Sequence, residues 1–195
     1  MTSYLGKAGF GNHILYTMCR DHPGHSDPEV IGGKLWLIGR AYSASVERKA
    51  GKDFDWTPLK NALVKSTIDK DIVDCKKIHR IDKSNLAIVL STHKRLTDIF
   101  KAETGLMKRS LASKYLHFHA PSVFFIFDSK AANEVSKLVR PIQKQFDQTY
   151  DSDRGYETFC KRCLIYREMV LEAGIRTKVS PRYLDSKLLG YDAST

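Results

Sequence analysis

The sequence predicts an all-α fold. Three observations carry that prediction: apolar residues recur at helical spacing along most of the chain, no segment alternates apolar and polar residues as a half-buried strand does, and helix start and stop residues bracket the apolar stretches. The length of 195 residues suits one domain, or two small helical lobes sharing a cleft.

Residues 1–30 carry Gly6, Gly9, Gly11, Pro23, Gly24 and Pro28 among scattered apolar residues and read as an irregular or short-helix arm. The arm ends in the turn Ile31-Gly32-Gly33, and a single helical domain is expected over residues 31–195. Leu35, Ile38, Tyr42 and Val46 then fall near one helical face, which Gly51 and Lys52 close. Thr57-Pro58 reads as an N-cap followed by proline at the first helical position, with Leu59, Leu63 and Val64 as the stripe. Residues 69–83 suit a short helix or an irregular linker. Ser84 caps a long helix through Lys101, and Thr104-Gly105 breaks it. A helix over 108–118, a turn at Ala120-Pro121-Ser122 and an apolar run from Val123 to Phe127 follow; the run is too short for a helix and suits a strand or a buried loop. Ser129 to Val139 reads as helix up to Pro141. Gly155 to Ala173 is amphipathic and stops at Gly174, and Ser180-Pro181 opens a last helix that Gly190 ends. The tally is about seven helices.

Hydrophobic residues make up 42% of the chain, enough for an ordinary core. No stretch approaches the apolar length of a membrane helix, and Met1 to Arg20 does not read as a signal peptide. The 32 Lys and Arg against 22 Asp and Glu give a net charge of +10, which draws the chain toward polyanions, nucleic acid foremost. Cys19, Cys75, Cys160 and Cys163 are spaced too irregularly for a disulfide framework, so reduced thiols in a cytoplasmic (nucleoid-associated) or nuclear setting are expected. Cys160-Lys161-Arg162-Cys163 is a lone CxxC without the further ligands zinc needs, and no metal site is expected.

Gly105 to Asp128, GLMKRSLASKYLHFHAPSVFFIFD, carries the most chemistry. Lys108, Arg109 and Ser110 open a helix whose backbone amides suit a phosphate, and basic residues there oppose the helix dipole unless an anion binds. Asp128 ends an apolar run where a carboxylate is partly desolvated, and it or Ser129 also suits a helix cap. Lys76-Lys77, His79-Arg80 and His93-Lys94-Arg95 are basic clusters that suit a DNA backbone or a solvated helix face.

This order of elements resembles the helix-hairpin-helix DNA glycosylase superfamily, in particular its 8-oxoguanine branch. ASKYLHF (112–118) is similar to the helix after the hairpin, FFIFDSKA (125–132) to the catalytic aspartate segment, SPRYLDSKLLGY (180–191) to the closing helix, and LWLIGRAYSA (35–44) to an early core helix. The likeness spans about residues 30–192 and rests on order and spacing. It implies a two-lobed helical bundle around a cleft, binding of double-stranded DNA with a flipped base, no cofactor, and a monomer. It implies Asp128 as the catalytic carboxylate, with Lys114 or Lys108 as the nucleophile if the reaction is bifunctional. Lys108, Arg109, Ser110, Lys94 and Arg95 would contact DNA, and Trp36, Tyr42, Tyr115, His117 and Phe118 would be available to line a base pocket. The sequence departs from the family in lacking the Gly-hydrophobic-Gly hairpin and in placing Ser110 where the family lysine stands; Lys108 has the better sequence distance to Asp128, and Lys114 lies one turn below Ser110 on the same face. Those departures keep two other readings open: a non-catalytic nucleic-acid-binding module on the same scaffold, and an unrelated helical interaction protein.

Overall fold

The computed structural model describes residues 7–44, 46, 51, 53–139, 146 and 148–191, the side chains of 7–9 excepted. These residues form nine helices and no strand. They are α1 (Lys7–Asp21), α2 (Pro28–Ala41), α3 (Thr57–Lys65), α4 (Ile68–Lys76), α5 (Leu86–Thr104), α6 (Arg109–His119), α7 (Ser129–Leu138), α8 (Arg154–Glu172) and α9 (Pro181–Leu189). None of the helices is long and apolar enough to cross a membrane.

The later elements lie close to their expected bounds, but α3 starts at Thr57 itself, whose N–H donates to Asp55 Oδ1, and α5 starts at Leu86 after Asn85, so neither Thr57 nor Ser84 is the expected cap. Gly105 ends α5 in the left-handed region at φ 68°, and Ser180 accepts the Tyr183 N–H at the start of α9, as the sequence leads one to expect. The run 123–127 is a buried loop. Segment 69–83 resolves into α4 and a turn in which Asp82 accepts the Ser84 and Asn85 N–H groups.

The N-terminal quarter differs from expectation. Residues 7–21 form a regular 15-residue helix where an irregular or short-helix arm was expected. Helix α2 begins three residues ahead of the expected turn at Ile31-Gly32-Gly33, because Asp27 accepts the Glu29 and Val30 N–H groups and Pro28 fits the first turn. The helix continues through both glycines, which neighbouring side chains approach closely. A Cβ on Gly33 would stand 3.0 Å from Met18 Cε, and one on Gly32 3.1 Å from Lys60 Cδ. The glycines let α1 and α3 approach α2 closely instead of turning the chain. α2 stops at Ala41, short of the expected end at Gly51-Lys52; Glu47, Arg48, Lys52 and Pro141 lie outside the described residues, as do residues 1–6.

Helix α6 sits at the centre of the packing, against α1, α2 and α5, while α7 packs on α8 and α9. Every residue of α6 from Leu111 to His119 is buried. Because side chains three or four apart share a helical face, Ser110, Lys114 and His117 look one way and Tyr115 and His119 another. Each face carries its own buried polar centre.

Candidate functional site

The first centre gathers around Lys114, which is only 2% exposed. Its Nζ donates to Ser110 Oγ at 2.6 Å and to the Phe127 carbonyl at 3.1 Å, and lies 5.6 Å from the centre of the Tyr42 ring. Asp128 Oδ2 stands 3.8 Å away. Burial lowers the Lys114 pKa from its ordinary value, and the carboxylates of Asp128 and Asp185 work against that. The Asp128 side chain is 37% exposed. Its Oδ1 accepts the Lys130 N–H and caps α7, so one carboxylate oxygen serves the helix while the other faces the lysine.

Asp185 and Arg182 complete the centre from α9. Arg182 Nη1 donates to Asp185 Oδ2 and to the Tyr42 hydroxyl, both at 3.2 Å. Asp185 Oδ1 is buried without a hydrogen-bond partner among the described residues. Burial pushes the Asp185 carboxyl up to about 6; Arg182 and Lys114 pull it down, and Asp128 pushes it further up. The Tyr42 hydroxyl donates to Asn12 Oδ1 on α1. His117 Nδ1 donates to the Phe124 carbonyl at 2.8 Å, so its Nε2 accepts from the Tyr16 hydroxyl at 2.7 Å. Burial drives the His117 pKa down to about 4, which fits this neutral tautomer. Tyr16 packs edge-on against Phe118, which also touches the Tyr42 ring.

The structure therefore brings together Asp128, Lys114, Ser110, Tyr42, His117 and Phe118. Other site residues expected from the sequence lie elsewhere. Trp36 is 49% exposed on the outer side of α2, beneath Arg40. Tyr115 is buried in the second polar centre, where its hydroxyl bonds His25 Nε2. Lys108 stands at the N-cap of α6 and reaches the Val46 carbonyl at 3.4 Å. Arg109 forks onto Asp153 through Nε at 2.5 Å and Nη2 at 2.8 Å. Gly155 makes room for this pair, since a Cβ there would stand 2.6 Å from the guanidinium carbon. The anion that balances the basic start of α6 is thus a protein carboxylate. Lys94 pairs with Asp98 at 2.7 Å, and Arg95 pairs with Asp71 at 2.7 Å.

Comparison with known protein families, with curated proteins and with solved structures finds no match.

Asn12, Tyr16, Arg182 and Asp185 escaped the sequence reading. Asn12 and Tyr16 fall in the segment taken for an arm, where four-residue spacing carries no weight until a helix is recognised. Arg182 and Asp185 did leave a signal: a cation and a carboxylate three apart on a helix opened by Ser180-Pro181 must share a face.

Among the described residues, no group of three or more His, Cys, Asp or Glu is placed to hold a metal ion. Clefts open between α8 and the 80–84 turn (about 730 Å³), between α7 and α9 (about 280 Å³), beside α1 and the 120–122 turn (about 440 Å³), and beside the 177–181 segment (about 420 Å³). Their described linings contain neither Lys114 nor Asp128.

Proposed function

We propose that the chain is a DNA base-excision glycosylase related to the helix-hairpin-helix enzymes, a two-lobed bundle in which Asp128 meets the extruded nucleotide. The observation that carries this reading is the pairing of a half-exposed Asp128 carboxylate with the buried Lys114 amine, 3.8 Å apart. The resemblance asks for a carboxylate beside an amine at this point of the chain. The position of Lys114 supports the reading despite the displaced lysine, because its amine lies 2.6 Å from the Ser110 hydroxyl, the position where the family lysine would stand.

Exposure divides the labour. Asp128 reaches solvent and Lys114 does not, so the carboxylate is the group a sugar would meet. As the glycosidic bond breaks, the base leaves with the bonding electron pair and positive charge grows on the sugar. Asp128 stabilises that charge, and water then adds to the sugar carbon and gives up a proton. Lys114 acts as a positioning residue, holding Asp128 and the Phe127 carbonyl in register. A second version has the uncharged Lys114 amine displace the base at the anomeric carbon, the base leaving with the bonding pair; loss of a proton from the nitrogen and opening of the sugar ring C–O bond then give a Schiff base, and its support is the burial that favours an uncharged amine.

Single-turnover base release from duplexes containing 8-oxoguanine tests the reading, with Asp128→Asn as the decisive variant. Asparagine caps a helix about as well as aspartate, so the substitution keeps the cap and removes the charge. Release should fall by roughly 100-fold or more. Unchanged release would leave Asp128 as a cap alone. Borohydride trapping of an adduct that Lys114→Ala abolishes would establish the second version. Salt-sensitive duplex binding by the unsubstituted chain without base release would leave a non-catalytic binding module.

A further inference from the structure

The clefts beside α1 and beside the 177–181 segment are neighbours. Both are lined by Ser122, whose hydroxyl donates to the Ile78 carbonyl at 3.4 Å and ties the 120–122 turn to the turn after α4. The first has an apolar lining from Tyr16, Phe118, Ala120 and Pro121, with exposed Arg20 and Lys76. The second has Leu171, Val179 and Pro181, with exposed Arg80 and Lys178. Neither described lining contains an aspartate or glutamate. Arg80 also borders the larger cleft against α8, where Asp82, Glu168 and Glu172 bring in carboxylates, so the purely cationic track ends there. Arg20 has an acidic neighbour in Asp21 at 2.9 Å, and Asp74 beside the track is taken by Lys77 at 2.6 Å.

One lining residue of the first cleft carries a buried polar atom. His119 lines it and is 4% exposed. Its Nε2 lies 3.5 Å from the Lys34 ammonium, which can only donate, so the ring hydrogen sits on Nδ1. That Nδ1 has no hydrogen-bond partner among the described residues.

We propose that these two adjoining clefts bind a single-stranded nucleic acid, with phosphates on Arg20, Lys76, Arg80 and Lys178 and unpaired bases against the apolar linings on either side of Ser122. Two apolar hollows set in series between cations match the alternation of base and phosphate along an unpaired strand, where charge holds the backbone and flat bases cover apolar surface. The outer surface of a duplex offers phosphates but no free base faces to such hollows. This surface shares Tyr16 and Phe118 with the periphery of the Lys114–Asp128 centre but includes neither Lys114 nor Asp128, and it stands whether or not that centre is catalytic.

The test measures binding of a fluorescein-labelled mixed-sequence 12-nucleotide single strand and of its duplex across a salt series. Two fourfold variants of the full chain are compared, matched in charge removed and each checked by thermal melting. One carries Arg20→Gln, Lys76→Gln, Arg80→Gln and Lys178→Gln; the other carries Lys65→Gln, Lys70→Gln, Lys101→Gln and Arg154→Gln at exposed positions elsewhere. The first should weaken strand binding more than about tenfold at low salt and flatten the salt slope by roughly 0.7 for each cation lost, whereas the second changes it less than about threefold. Ser122→Phe, which fills the junction without changing charge, should weaken binding severalfold and leave the slope intact. Equal losses in the two fourfold variants would reduce the effect to net charge and overturn the proposal. So would failure of the unsubstituted chain to bind, unaltered binding by Ser122→Phe, or duplex binding as tight as the strand's through the same four cations. Asp128→Asn should bind the strand normally, so a failed excision assay and a failed binding assay are separate results.

Discussion

Helix α6 holds two buried lysine centres back to back, and they are built differently. Lys34 is fully buried; its Nζ donates to the His22 carbonyl and faces His119 Nε2 at 3.5 Å. The nearby carboxylate, Asp69, is engaged elsewhere: it accepts from His25 Nδ1 at 2.5 Å and from the His25 N–H at 3.0 Å, and His25 in turn meets the Tyr115 hydroxyl at 2.7 Å. The Lys34 centre stitches the loop after α1 onto α4 and α6. At Lys114 a half-exposed carboxylate faces the amine directly, and a second, Asp185, is buried alongside. A buried lysine with a lowered pKa occurs in both, so that property alone does not mark a reactive site. What separates the two is a carboxylate that touches both the amine and solvent.

Acid gives the largest expected effect. Burial holds the pKa of His117 near 4 and that of His119 well below the ordinary value, with Lys34 adding to the depression at His119. A histidine depressed in the folded state takes up its proton in the unfolded chain first, near pH 6.5. Its contribution is therefore complete above pH 6.5 and is lost as pH falls toward the folded value. Denaturant unfolding should show stability dropping across pH 6.5 to 4. His119→Gln and His117→Gln should each flatten that slope by about 1.4 kcal/mol per pH unit, one proton apiece. Equal slopes in the parent and both variants would mean that neither imidazole is held neutral.

Lys34→Met comes next. It leaves the His22 carbonyl and His119 Nε2 without their shared donor and should cost about 1–3 kcal/mol in the same unfolding experiment at pH 7. Asp128→Asn, which keeps the α7 cap, should cost less than about 0.5 kcal/mol. A loss there as large as that of Lys34→Met would make Asp128 a structural residue.

The smallest effect is the most specific. Burial pushes the Asp185 carboxyl up to about 6, Arg182 and Lys114 pull it down, and Asp128 pushes it further up. Carboxyl carbon NMR should therefore show the Asp185 pKa rising in Lys114→Met and falling in Asp128→Asn. Shifts of the opposite sign would break the electrostatic link between α6, α7 and α9.

The helical character and several helix ends were legible in the sequence because Pro58, Gly105, Gly174 and Ser180-Pro181 act locally, whereas Thr57 and Ser84 are not the caps they suggest. The start of the chain was not. The glycines of α1 and α2 suggest a loop, and it takes the structure to show Met18 and Lys60 closing on Gly33 and Gly32 within α2. Asp128, Lys114 and Ser110 were legible through spacing along one segment. Tyr16, Asn12, Arg182 and Asp185 reach the same centre from helices far away in sequence, and no local pattern encodes that meeting. Arg109 misled for a related reason: its carboxylate partner, Asp153, lies 44 residues on.

The most direct test of the account compares Lys114→Met with Lys34→Met in single-turnover base release, both normalised to folded protein. Lys114→Met should lose at least about tenfold, because Asp128 loses the partner that positions it, while Lys34→Met should stay within about threefold of the parent. Equal rates in the two variants, or a greater loss in Lys34→Met, would contradict the assignment of the reactive centre to the Lys114 face of α6.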